Sequence, residues 1–250
     1  MKNYILTLFT TLLTLTLFAQ GPRDNSMGVF LVTLSGGGQA PGGDLADRYG
    51  GNYNIGGGME YILPNSNIIL GVESDFYFGN TVKEDVLENI RTPEGLLVAN
   101  NRTLATNPLK QRGFYAGVTI GKLFTLSSVN PKSGIRVTVG GGLMQHHIRI
   151  QDDPMAPVAA LRDDYKKGYD RLTNGFALNE FVGYQYLARD RRLNFYVGFE
   201  FTQGFTQSRR SYNFDTMTAD TEKRLDLLYG FKIGWSLPFY SGDTGDEILY

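Results

Sequence analysis

The sequence predicts an all-β fold: a membrane-spanning, antiparallel, up-and-down β-barrel of eight strands. The first observation behind this is the segment Arg224–Tyr240, which alternates without a break. One face reads Leu225, Leu227, Tyr229, Phe231, Ile233, Trp235, Leu237 and Phe239, and the other reads Asp226, Leu228, Gly230, Lys232, Gly234 and Ser236. Successive strand residues point to opposite sides, so this is an apolar face backed by a small or polar one, the arrangement of a strand with lipid outside and a lumen inside. The second observation is the N-terminus: Met1-Lys2, an apolar run from Tyr4 to Phe18, and Ala19-Gln20. A basic start, a short apolar core and a small residue are the marks of an export signal, with cleavage expected after Ala19. The third is the spacing of connections, which alternate short and long along the chain.

Period two and turn residues place the strands at Gly28–Gly36, Asn52–Leu63, Ile68–Gly79, Gly113–Leu126, Gly134–Gln151, Gly175–Leu187, Arg192–Thr206 and Arg224–Tyr240. Pro64 to Asn67, Ser127 to Ser133 and Ala188 to Arg191 are the short turns. Gly37 to Gly51, Asn80 to Arg112, Asp152 to Asn174 and Gln207 to Lys223 are the long loops. In outer-membrane barrels tight turns lie on the periplasmic side and long loops outside, so both termini are expected in the periplasm. The expected organisation is a signal peptide over 1–19, a short periplasmic segment over 20–27, the barrel over 28–240 and an acidic periplasmic tail over 241–250. Several strands exceed the roughly 9–11 residues that cross a bilayer. The fifth with the sixth, and the seventh with the eighth, are expected to continue above the membrane.

Faces follow strand by strand. Leu193, Phe195, Val197, Phe199, Phe201 and Phe205 face lipid on the seventh strand, with Asn194, Tyr196, Gly198, Glu200, Thr202 and Gly204 inside. The fourth puts Phe114, Ala116, Val118 and Ile120 outside, and the third puts Val72, Phe76 and Phe78 outside with Glu73, Asp75 and Tyr77 inside. The sixth strand breaks the rule. With Val182, Tyr184 and Tyr186 in lipid, strict alternation sends Glu180 there too, which is costly for a carboxylate. A β-bulge near Phe181 is therefore expected, returning Glu180 to the lumen.

Composition excludes whole classes. There is no cysteine, so disulfides, thiolate catalysis and cysteine metal sites are absent. The balance of 24 basic against 25 acidic residues offers nothing to nucleic acid. No cofactor and no metal ligand set is indicated, and no catalytic set is assigned.

The inward polar set is Glu60, Glu73, Asp75, Arg136, Glu180, Glu200, Asp226 and Lys232. In a lumen only wide enough for side chains, these charges are expected to pair and plug the barrel rather than to conduct. Lys232 and Glu200 are expected partners. His146 and His147 are the only histidines and point to opposite faces, so at most one could serve a site; Ser35, Ser208 and Ser211 lie near the same end. Eight-stranded lipid-A-modifying enzymes combine histidine with serine and an acid, but no such pattern surrounds this pair. In the third loop Asp152-Asp153 and Asp163-Asp164 lack the ligand spacing and glycine of a calcium loop and read as solvated. In the second loop Val82, Val86, Leu87 and Ile90 recur at helical spacing. Such an apolar set must cover something, either the barrel mouth or a partner, and these four are the candidate partner-contact residues.

The run from Lys232 through Gly234 and Leu237 to Phe239 looks like the terminal-strand signal read by the barrel-assembly machinery. Together with Ala19-Gln20, the aromatic strands and the Trp-Ser-Leu-Pro-Phe ending, the mature chain resembles small outer-membrane β-barrel proteins of Bacteroidota. The tail from Ser241 to Tyr250 departs from barrels that stop at their last strand. The resemblance implies a non-enzymatic accessory subunit of an outer-membrane machine, in type IX secretion or barrel assembly. Expected partners are outer-membrane lipids including lipopolysaccharide, the assembly machinery, and other outer-membrane or periplasmic proteins. A lipid A deacylase or acyltransferase, or a small pore, is the alternative.

Overall fold

A computed structural model describes residues 25–127, 130–188 and 193–241. The expected signal peptide and the acidic tail beyond Ser241 lie outside the described residues, as do parts of two short connections; Ser241 itself ends the last strand. The strands are β1 Gly28–Gly43, β2 Asn52–Ile62, β3 Ile68–Gly79, the two-residue pieces β4 Leu97–Val98 and β5 Leu104–Ala105, then β6 Leu109–Thr125, β7 Gly134–Ile150, β8 Thr173–Leu187, β9 Asn194–Ser208 and β10 Lys223–Ser241. All but β4 and β5, which pair with each other, form one closed ring in the order β1-β10-β9-β8-β7-β6-β3-β2. Every neighbour is antiparallel, and β1 zips onto β10 from Gly28↔Ser241 to Gly43↔Asp226. The eight-stranded up-and-down barrel is thus the fold.

Alternation of side chains decides what each wall carries. Leu34, Ile55, Met59, Val72, Phe76, Val118, Ile120, Val139, Phe176, Val182, Phe199, Phe231, Ile233 and Trp235 are exposed and sit on the outside. Every barrel strand contributes to this belt.

Three differences from the sequence expectation have physical causes. First, β1 runs seven residues beyond Gly36, because Gly36, Gly37 and Gly38 continue the ladder on both sides, opposite Ile233, Lys232 and Phe231 and opposite Ile55, Asn54 and Tyr53. Glycines carry no side chain, so period two vanishes from the sequence while the backbone pairing goes on. A short helix, α1 Asp44–Arg48, then turns inward and buries Leu45 and Arg48. Second, at the loop end β6 pairs with β7 from Leu109↔Ile150 and β1 with β10 as far as Gly43↔Asp226, whereas β7 with β8 stops at His146↔Thr173 and β9 with β10 at Gln207↔Lys223. Third, β8 contains no bulge. Its register runs unbroken through Glu180↔Phe201 and Phe181↔Glu200, so Glu180 is on the outer face and Phe181 inside.

The lumen is filled in layers. At the turn end Val29, Leu31, Ile62, Ile69, Leu123 and Leu187 form a fully buried apolar cluster. At the loop end a second cluster joins barrel residues Tyr77, Tyr115, Met144, Ile148 and Leu228 to loop residues Leu45, Tyr49, Val86, Leu87, Leu97 and Leu161. The second loop therefore folds back on its own barrel: Val86 and Leu87 are completely buried, and Val82 and Ile90 pack against them. Val86 and Leu87 thus cover the barrel mouth, because apolar loop surface over an open barrel end finds its nearest dry neighbour in the aromatic residues of the lumen, while Val82 and Ile90 stay partly exposed beside them.

Candidate functional site

Between the two apolar layers lies a band of charge. The register sets Lys232 of β10 opposite Gly198 and Glu200 of β9 opposite Gly230. Each long side chain thereby reaches across a glycine into the lumen. Lys232 Nζ is ion-paired with Glu200, donates to Asp75 Oδ2 at 2.9 Å, and lies 3.9 Å from Glu73 Oε2. Gln39 and Asn54 donate to Glu200 Oε2 at 3.0 and 3.3 Å, and Asn179 donates to Oε1 at 3.0 Å. Oxygens of Glu73, Asp75 and Glu200 all fall within 4.8 Å of one another, close enough to hold a cation. The cation they hold is the ammonium of Lys232, which answers three carboxylates at once.

A second group sits on the β7 side. The Arg136 guanidinium is ion-paired with Glu60, donating from Nη1 to Oε2 at 2.8 Å, and also donates to Gln185 Oε1 at 3.0 Å. Its carbon lies 4.8 Å from the Tyr196 ring centroid and 5.8 Å from that of Phe181. Those rings meet edge to face at 5.6 Å. This explains why β8 needs no bulge. Phe181 is drawn inside by Tyr196 and Arg136, into space that Gly183 and Gly198 leave open: a Cβ on either would come within 2.7 and 2.8 Å of its Cζ. Glu180 is left on the outer wall, where Gln203 Nε2 donates to it at 3.3 Å.

The third group is nearest the loops. His146 Nε2 meets Asp226 Oδ2 at 2.8 Å, Thr206 Oγ1 donates to the same oxygen at 2.5 Å, and Tyr49 packs edge-on against the imidazole at 5.6 Å. His146 is inside and entirely buried, whereas His147 faces out, so the pair does split across the wall. Among the described residues no serine hydroxyl hydrogen-bonds His146. The imidazole, the carboxylate and the Thr206 hydroxyl thus form one buried hydrogen-bonded group inside the barrel.

Above it the loops are latched by charge. Glu84 accepts from Arg48 Nε and Arg171 Nε, each at 2.7 Å, and Arg171 also pairs with Asp215. Burial pushes the Glu84 carboxyl up, but the two guanidiniums outweigh it and hold the group below its ordinary value. In the third loop Asp152 pairs with Lys166, and Asp164 pairs with Lys167 at 2.5 Å.

Of the sequence-derived lumen set, Glu60, Glu73, Asp75, Arg136, Glu200, Asp226 and Lys232 converge inside, and Glu180 does not. Lys232 and Glu200 are the expected partners. The pairings Glu60 with Arg136 and Asp226 with His146 escaped the sequence reading, since they join strands 76 and 80 residues apart. On the last strand Lys232 and Gly234 point inward while Leu237 and Phe239 point outward, opposite Val32 and Phe30 of β1.

No family model and no curated protein matches this chain. Among solved structures it is similar to Neisserial surface protein A, with 10% identity over 84% of this chain and 97% of that one and a TM-score of 0.41. It is also similar to the attachment invasion locus protein Ail of Yersinia pestis, bound to the heparin analogue sucrose octasulfate (10% identity, 84% and 98% covered, TM-score 0.37). A third is the N-terminal β-barrel domain of Pseudomonas aeruginosa OprF (14% identity, 82% and 96% covered, TM-score 0.36).

Proposed function

We propose that this protein is an integral outer-membrane β-barrel that neither conducts nor catalyses and that acts as a structural or accessory subunit of an outer-membrane complex. The carrying observation is the contrast between its two sides: the outer wall is an apolar belt on every strand, while the lumen holds a buried apolar cluster at each end and a paired band of charge between them. A closed barrel with that belt is stable only with hydrocarbon around it. The sealed lumen leaves the outer surfaces as the working surfaces. Termini in the periplasm and loops outside the cell follow from the short-turn, long-loop asymmetry.

The loop tips supply surface for a partner: Val98 and Leu104 on the second loop, Met155 on the third and Met217 on the fourth are all exposed. Type IX secretion and outer-membrane protein assembly are the machines to which the terminal-strand resemblance directs attention. Extraction in mild detergent with chemical cross-linking, followed by identification of co-purifying proteins, tests the reading. A reproducible outer-membrane or periplasmic partner supports it, and isolated monomers overturn the accessory role.

A further inference from the structure

Outside the lumen, β6 and β7 carry an arrangement that ordinary sheet energetics disfavours. On the outer wall at the loop end, Lys110 stands directly opposite Arg149, and Arg112 directly opposite His147. Side chains so opposed have Cβ atoms about 5 Å apart, and like charges there repel. The carboxylates beside them are engaged elsewhere. Asp152 is paired with Lys166, and Asp170 is gripped by the Arg210 guanidinium, with Nε donating at 2.8 Å. Among the described residues Lys110, Arg112 and Arg149 form no ion pair, and Arg112 makes one hydrogen bond, from Nη1 to the Gln111 carbonyl at 2.6 Å. Lys110, Arg112, Arg149 and the His147 imidazole therefore line a cavity of about 680 Å³ together with Lys166, Asp152 and Asp170, and both of those carboxylates are already held, by Lys166 and Arg210.

The residues below give the missing anion its carrier. Arg112 and His147 also border a second cavity of about 420 Å³ walled by Phe76, Phe78 and Phe114, at the upper edge of the apolar belt. Cations above and aromatic rings below, on the same outer wall, match an amphiphile standing upright beside the barrel.

We infer that this face of β6 and β7 binds a phosphate-bearing lipid of the surrounding leaflet, with its headgroup phosphate on Lys110, Arg112 and Arg149 and an acyl chain against Phe76, Phe78 and Phe114. Guanidinium forks match phosphate oxygens, and bound phosphate turns cross-strand repulsion into shared attraction. The inference rests on the membrane reading above and adds the site and the ligand chemistry to it.

Native mass spectrometry of the full chain, refolded in detergent and checked by its heat-dependent gel migration, is the test. The probes are diphosphoryl lipid A, the same lipid with its phosphates removed, and inorganic phosphate. The wild type is expected to retain diphosphoryl lipid A at least tenfold better than the dephosphorylated lipid, and R112Q/R149Q to lose that preference. Millimolar inorganic phosphate is expected to displace little lipid, because it lacks the chain that fills the aromatic groove. Equal retention of both lipids by the wild type, or an unchanged preference in R112Q/R149Q, overturns the site; full displacement by inorganic phosphate overturns the lipid as its occupant.

Thermal unfolding guards against a variant that fails to fold. Diphosphoryl lipid A is expected to raise the wild-type midpoint and its dephosphorylated form to leave it unmoved; equal shifts overturn the site. Insertion into plain phosphatidylcholine vesicles, read by protease protection, judges the membrane reading separately.

Discussion

Lys232 of β10 and Glu200 of β9 form an ion pair across the diagonal of their ladder, each facing a glycine, Gly198 and Gly230, on the opposite strand. The glycines make room for both side chains to cross the lumen, where Lys232 also answers Asp75 and Glu73. One ammonium thus answers three carboxylates. Lys232→Ala strands the carboxylates and is expected to cost roughly 3–5 kcal/mol and to impair insertion. Lys232→Gln keeps donors in place and largely spares insertion. Urea unfolding of barrels refolded in vesicles measures the first and heat-dependent gel migration of membrane extracts the second. Equal behaviour of the two variants would contradict the assignment.

Glu180 gives a prediction of opposite sign. On the outer wall with only Gln203 as its partner, it is expected to be a liability to the isolated barrel. Glu180→Leu should raise stability by roughly 1–2 kcal/mol in vesicles, the scale of a misplaced charge on the lipid face. A bulge placing Glu180 in the lumen would instead make the same change destabilising.

His146 and Asp226 are predicted to matter for the seal and not for chemistry. His146→Ala removes one of two donors to a buried carboxylate, leaving Thr206, and is expected to cost about 1–3 kcal/mol. The double variant His146→Ala, His147→Ala should leave the lipid A profile of the host unchanged by mass spectrometry. A missing or added acyl chain would restore the enzyme reading.

Glu84 makes the loop latch sensitive to acid. Burial alone would raise its pKa, but Arg48 and Arg171 hold it below the ordinary value of 4.5. A carboxyl with a depressed folded-state pKa contributes its full stabilisation above the unfolded value and loses it as pH falls through the folded value. Limited proteolysis of the loops should therefore be slow at neutral pH and accelerate only as the pH falls below 4.5 toward the lower folded-state value. Glu84→Gln should show faster cleavage at neutral pH and a smaller change on acidification.

The sequence by itself determined the eight strands, their inward and outward faces and the alternation of turns with loops. Those features follow from a two-residue period imposed by lipid on one side of every strand, and each is written locally. It also named seven of the eight lumen charges it assigned there, because alternation from exposed neighbours such as Phe199 and Phe231 fixes where Glu200 and Lys232 point. Local pattern failed where it was silent or met a competing interaction. The glycines after Ser35 hid the continuation of β1, and Glu180 was moved inward on its cost alone.

Only the closed barrel decided those cases. Phe181 lies inside because Tyr196 and Arg136, from two different strands, hold it there, and that gain together with an unbroken ladder outweighs a carboxylate left facing out. Closure likewise chose Glu60 for Arg136 and Asp226 for His146 and gave Val86 and Leu87 a lumen end to cover, while the β6–β7 hairpin register set Lys110 and Arg112 against Arg149 and His147. Glu60 with Arg136 and Asp226 with His146 join strands that are not neighbours in the ring, and only its closure brings them face to face across the lumen.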